Sequence, residues 1–218
     1  MGKGRSSNGG GARDNSRWAE DGVTGGFHSY TDADEIQKKI GNEAWEERLT
    51  EDEEHALDMY MNRDYAFRRM NGALRDPDGA PADEQTQALI DDLGSALDKS
   101  YLKENVIVTR RSDASLLGGA DTAAQVREMY GDVVVDPGFA SASAKADYTA
   151  FKNTRPMEYH IKVPGRQSGV GAYVQNFAES KNEYEFLFNR GASFRVLGAY
   201  EQGGKTHVNM EWVGRTAR

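Results

Sequence analysis

Two glutamates separated by one residue occur twice in this chain, and the two settings differ. Glu51 and Glu53 fall in the first turn of a helix, where i and i+2 side chains diverge. Negative charge there complements the helix N-terminus, so that pair reads as structural. Glu183 and Glu185 instead precede an apolar strand, Phe186-Leu-Phe188. Side chains at i and i+2 of a strand share a side, which would turn both carboxylates into one cleft and Tyr184 away from it. Such a pair can stabilise a developing positive charge or orient a cationic group. Other chemistries find little support. With no cysteine, thiolate nucleophiles, disulfides and cysteine zinc sites are excluded. His28, His55, His160 and His207 are scattered, with no pair at ligand spacing, so no metal site is expected. No Gly-x-Gly-x-x-Gly follows a strand and no P-loop pattern occurs; the glycine-rich run Gly165 to Gly171 reads as a hairpin loop.

The neighbours of Glu185 sharpen the reading. Going backwards, the chain offers Gly171-Ala-Tyr-Val174, Phe151 with Arg155-Pro156, Gly138-Phe-Ala-Ser-Ala-Ser143 and Val106-Ile-Val-Thr-Arg-Arg111. At these positions, and most specifically over Glu183-Tyr-Glu-Phe-Leu-Phe-Asn-Arg-Gly191, the sequence resembles the mono-ADP-ribosyltransferase toxins of the arginine–serine–glutamate class. Within that class it is most similar to the binary actin-modifying toxins and the clostridial Rho-modifying exoenzymes. The ordered motifs span residues 105 to 198, and a fainter likeness through Trp45, Leu49 to Glu53 and Leu74-Arg75 extends back to residue 42.

The resemblance implies a site and NAD as its substrate. Arg110 would hold the NAD phosphates, since a planar guanidinium forks two phosphate oxygens as an ammonium cannot. Arg111 follows it, as in the actin-modifying toxins. Ser141 and Ser143 match the outer serines of the Ser-Thr-Ser motif, with Ser141 positioning the catalytic glutamate beside the nicotinamide pocket. Ala142 replaces the usual threonine, which predicts one supporting hydrogen bond fewer. Phe151 and Arg155 match the aromatic and the arginine of the phosphate–nicotinamide loop; Tyr173 reads as an ordinary strand aromatic. Glu185 would be the catalytic glutamate. Cleavage of the nicotinamide–ribose bond builds an oxocarbenium-like sugar that a fixed carboxylate stabilises, as in glycoside hydrolysis, and nicotinamide leaves neutral without a strong general acid. Glu183 would face the nucleophile. In this class a glutamate there goes with arginine as acceptor, and glutamine with asparagine. Phe177 to Asn182 would form the target-recognition loop; it is somewhat longer between aromatic and glutamate than in the Rho-modifying enzymes, so the resemblance does not fix the protein substrate.

These residues need elements to hold them. Thr50-Glu-Asp-Glu53 predicts a capped helix start, with Leu57, Tyr60 and Met61 on one face. Phe67, Met70 and Leu74 predict a second helix ending at Arg75-Asp-Pro77. Asp83 caps a third, striped by Ile90, Leu93 and Leu97, with Trp45 and Leu49 in the same core. After Glu104 the period changes. Strands are predicted at 105–109, 133–135, 138–142, 159–163, 172–174, 185–188, 193–198 and 206–213, with one helix over 122–129. Helices first and strands after give an α+β fold, which the resemblance refines to an N-terminal helical subdomain packed on a split two-sheet β core. Residues 1–29 are rich in glycine and poor in aliphatics, and read as a flexible tail. Residues 30–218 are expected to form one domain, helical over 30–104 and β-rich over 105–218, the part that the resemblance implies binds NAD.

Charge divides the chain the same way. Residues 31–104 carry 9 basic and 20 acidic groups, whereas 105–218 carry 14 and 12, so a phosphate-rich ligand belongs to the later part. No basic block of nucleic-acid type and no apolar run of membrane length occurs, so neither nucleic acid nor membrane is an expected partner. Met1-Gly-Lys-Gly-Arg-Ser-Ser lacks the apolar stretch of a secretory signal. The expectation is a protein cytoplasmic in its producer or delivered into a target cell: a toxin, an effector or a phage-borne host modifier. Its partner would be a protein presenting a target arginine, with an inhibitor or immunity protein as a second partner. Two rivals stand beside this: an NAD glycohydrolase on the same site, and a non-catalytic virion or structural module that kept the fold.

Overall fold

Local capping chemistry starts three of the helices of the N-terminal part. The computed structural model describes residues 23–24, 26–76, 78–79, 81–148, 154–179 and 183–216. It opens with a hairpin, β1 (Val23–Thr24) and β2 (Phe27–His28), which lies within the segment read as tail; residues 1–22 lie outside the described residues. Helix α1 (Ala33–Ile40) starts at Asp32, whose side chain accepts from the Glu35 amide, and α2 (Glu43–Glu46) is a single turn. In α3 (Glu51–Asn62) the Thr50 hydroxyl accepts from the Glu53 amide and the Glu53 carboxylate from the Thr50 amide, the box read from the sequence. Helix α4 (Asp64–Arg75) stops before Pro77, and α5 (Glu84–Asp98) is capped by Asp83. No helix among the described residues is long and apolar enough to cross a membrane.

Strands follow: β3 (Tyr101–Leu102), β4 (Val106–Ser112), then α6 (Ala123–Glu128), β5 (Val133–Asp136), β6 (Ala140–Ser143), β7 (Met157–Val163), β8 (Gln167–Ser168), β9 (Gly171–Tyr173), β10 (Glu185–Phe188), β11 (Ala192–Gln202) and β12 (Lys205–Arg215). The main sheet runs β5-β11-β12-β7-β4-β6-β10-β9, with β2 on β4, while β3 and β8 pair separately. The glycine-rich run read as a loop thus carries the short strand β8. A single registered pair, Thr109↔Ser143, joins β4 to β6. This seam divides the sheet into two halves, the split β core of an α+β fold.

Alternation along β10 shows how the layers meet. Phe186 and Phe188 enter a core shared by both halves, with Val108, Tyr159, Ile161 and Met210. Leu187 between them points the other way, into a second core with Leu57, Ile90, Leu93 and Trp45 of the helices. Each fully buried side chain of this size contributes about 1.5–3 kcal/mol. Polar contacts fix the helices against the segment entering β6. Arg75 donates to both oxygens of Asp136 (2.9 and 3.0 Å) and to the Phe139 carbonyl (2.8 Å). Asn71 donates to the Tyr60 hydroxyl (3.0 Å) and accepts from the Phe139 amide (2.8 Å). A Cβ at Gly138 would meet Asn71 Oδ1 at 2.4 Å, so this approach requires glycine.

Candidate active site

The seam between the sheet halves opens as a cleft, and most of the residues selected above line it. Arg110 and Arg111 come from β4, Ser141 and Ser143 from β6, Arg155 from the segment before β7, Glu183 and Glu185 from the entry to β10. Phe151 lies outside the described residues, as do residues 180–182 of the segment expected to recognise the target. Tyr173 is buried in the shared core.

Register places the central groups. Glu185 stands opposite Ser143, and Leu187 opposite Ser141. Glu185 is only 8% exposed. Burial raises its carboxyl to about 7; the Glu183 charge adds to the rise, while a hydrogen bond from the Ser141 side chain and the charge of Arg110 oppose it. The Arg110 guanidinium donates to the Ser141 carbonyl at 2.7 Å, tying β4 to β6 across the seam. Ser143 donates to the Glu183 carbonyl (3.1 Å) and accepts from the Lys145 amide (3.2 Å), so its hydroxyl holds the turn before β10. Ala142 belongs to the shared apolar core, on the opposite side of β6 from Ser141 and Ser143.

Glu183 reaches the cleft by a route other than the strand alternation read from the sequence. The strand begins at Glu185, and Tyr184 has φ 51°, the left-handed region that costs a non-glycine residue about 1–2 kcal/mol. Three contacts hold that turn. The Tyr184 amide donates to Gln175 Oε1, its carbonyl accepts from the Ala144 amide at 2.8 Å, and Lys145 Nζ sits 4.9 Å from its ring centre. The turn, rather than the pleat, brings the two carboxylates to one cavity.

Further side chains belong to the site without having been singled out. Tyr148 lines the cleft, its phenol raised by burial and by both glutamates. The Tyr60 hydroxyl of α3 donates to the carbonyl of Phe139, two residues before Ser141, at 3.3 Å, and burial followed by the Glu185 charge raises it. As part of a helical apolar stripe, Tyr60 gave no signal beyond packing. The scattered histidines also need correction. Parallel pairing of β12 with β7 sets His207 beside Glu158, and His160 Nε2 lies 3.1 Å from His207 Nδ1. With Glu158 they form a group with metal-ligating atoms, which strands 47 residues apart concealed in the sequence.

The family model for the ADP-ribosyltransferase exoenzymes matches residues 37–214. The chain belongs to that family of ADP-ribosyltransferases. Among solved structures it is similar to Plx2a, an ADP-ribosyltransferase toxin from Paenibacillus larvae, at 21% identity over 84% of this chain and 98% of that one, with a TM-score of 0.73. The Clostridium limosum C3 exoenzyme gives 20% identity, 86% and 98% coverage and a TM-score of 0.72. C3stau2 from S. aureus, solved with NAD, gives 16%, 87% and 100%, and 0.72. At these identities the structures speak for the fold. No curated protein matches the chain in sequence.

Proposed function

We propose that this enzyme transfers ADP-ribose from NAD to an arginine side chain of a target protein, as a toxin or effector. The observation that carries the reading is the convergence of Arg110, Ser141, Glu183 and the buried Glu185 on one cleft. Arg110, Arg111 and Arg155 supply the positive charge that a pyrophosphate needs. Glu185, as carboxylate, stabilises the oxocarbenium-like sugar most when its charge is greatest, and Ser141 holds it there. Glu183 faces the same cavity without lying in the strand, where it would pair with the incoming guanidinium and orient it for attack.

The acceptor is tested by Glu183→Gln. A guanidinium needs a carboxylate to orient it and water does not. Labelling of protein should therefore fall at least about tenfold, the scale of one lost charged hydrogen bond, while nicotinamide release to water falls much less. Radiolabelled NAD and lysate protein measure both. An equal loss of the two activities assigns Glu183 to NAD itself, and no loss removes the arginine acceptor.

A further inference from the structure

Behind the cleft, Arg111 rests on a buried polar group that the reaction outlined above does not use. Arg111 and Glu158 face each other in the β4–β7 register, and Arg111 Nε donates to Glu158 Oε2 at 2.8 Å. Their side chains are 7% and 11% exposed. On the far side, Glu158 Oε1 lies 3.6 Å from His160 Nε2 and 3.8 Å from His207 Nδ1, beyond hydrogen-bond length. The imidazoles are within 6° of parallel with a centroid separation of 5.4 Å, and Tyr200 lies parallel to His207 at 4.6 Å.

Two chemistries compete for this cluster. The donor spacings of 3.1, 3.6 and 3.8 Å are near those of ligands around a tetrahedral zinc ion. Against an ion, the carboxylate already carries the Arg111 cation. The ring separation, moreover, is about the 3.1 Å contact plus two ring radii, so the two nitrogens point at each other as in an N–H···N hydrogen bond instead of converging on a third point.

We propose that Glu158 is the positioning residue for Arg111, fixing the plane of its guanidinium at the cleft, with the histidine pair walling the carboxylate from water. A free arginine side chain samples many rotamers and loses that entropy when it is fixed. Ordering it during folding spares that loss when a ligand binds. The bond through Nε, the nitrogen nearest the stem, suits this role because it sets the plane of the whole group. This inference rests on NAD occupying the cleft.

The test is a double-mutant cycle on the full chain, combining Glu158→Gln and Arg111→Gln. It reads NAD affinity by calorimetry and the KM and kcat of nicotinamide release. Glu158→Gln should weaken NAD binding and raise KM about tenfold, with kcat changing less than about threefold. In the Arg111→Gln background the same change should add less than twofold, because the group it positions is gone. Additive effects, or unchanged affinity in folded Glu158→Gln, overturn the assignment. If Glu158→Gln does not fold, Glu158→Asp keeps the charge on a shorter stem and should show the same KM-selective loss; wild-type KM there also overturns it. Zinc chloride that raises the melting temperature of the wild type but not of His207→Ala would make the cluster a metal site instead. A wild-type chain that binds no NAD defeats the underlying reading, whereas normal wild-type binding with an insensitive Glu158 defeats this inference alone.

Discussion

At the scale of the residue, one carboxyl carries the strongest constraint. Glu185 is buried beside Glu183 and its carboxyl sits at about 7, yet the chemistry assigned to it needs the ionised form. The pH profile follows. The kcat/KM of nicotinamide release should rise with pH through about 7 and level off above it, as the carboxylate of the free enzyme forms. Glu185→Gln should lose about 100- to 1000-fold at the plateau. A variant keeping more than half the activity would remove Glu185 from the chemistry, whereas a profile flat from pH 5.5 to 8.5 would mean that its carboxyl is already ionised at the acid end. The residues that converge on this cleft were picked out by the order of the motifs and their resemblance to a known family, since the spacing of the glutamates alone is a weak signal. The way Glu183 reaches the cleft was not legible there, since the expectation assumed a strand through Tyr184. A left-handed tyrosine held by Gln175, Ala144 and Lys145 depends on contacts that spacing does not encode. Ala142, at the position of the motif threonine, packs in the apolar core and also borders the cleft.

Among the elements, locally determined features were legible and long-range pairings were not. The Thr50 and Asp83 caps, the stop before Pro77 and the strand of Glu185 follow from chemistry within a few residues. The parallel pairing of β7 with β12, which assembles Glu158, His160 and His207, joins distant segments whose partner choice is set by packing. The contact of α3 and α4 with the approach to β6 has the same character, and it is where the helical part meets the site. Asn71 is 3% exposed and bridges the Tyr60 hydroxyl and the Phe139 amide. Asn71→Ala leaves both without that partner, at about 1–3 kcal/mol for a buried group left unsatisfied. The variant should unfold about 2 kcal/mol more easily in urea and release nicotinamide several-fold more slowly, because Tyr60 and the strand bearing Ser141 lose their anchor. A loss under about 0.5 kcal/mol with full activity would show that the helices merely cover the sheet.

For the molecule as a whole, the site and the fold titrate against each other. The helical part carries most of the net negative charge, while the cleft draws Arg110, Arg111 and Arg155 from the β-rich part, so the charge at the cleft favours an anionic ligand. Two buried groups then shape stability with opposite signs. Glu185 rises from an ordinary 4.5 to about 7, chiefly through burial. Below pH 4.5 it is protonated folded or unfolded. Between 4.5 and 7 the unfolded chain ionises first, so stability falls as pH rises and the loss is complete above 7. His160, also through burial, drops from 6.5 to about 4. Above pH 6.5 it is neutral in both states, and as pH falls from 6.5 to 4 the unfolded chain takes the proton first, so stability falls on acidification. From pH 4.5 to 6.5 the two slopes, each about 1.4 kcal/mol per pH unit at most, oppose one another. Glu185→Gln keeps the shape and a hydrogen-bond acceptor but cannot ionise, so it removes only the first slope. Its melting temperature should match the wild type near pH 4.5 and exceed it progressively up to pH 7. Above that the gain should hold steady, at no more than about 3.5 kcal/mol, or roughly 7–14 °C for a chain of this size. Paired melts across pH 4.5–8 measure the difference, in which groups common to both chains cancel. A constant difference at every pH would mean that Glu185 is ionised in the folded protein as readily as in the unfolded chain, and the activity profile should then lose its rise through pH 7 as well.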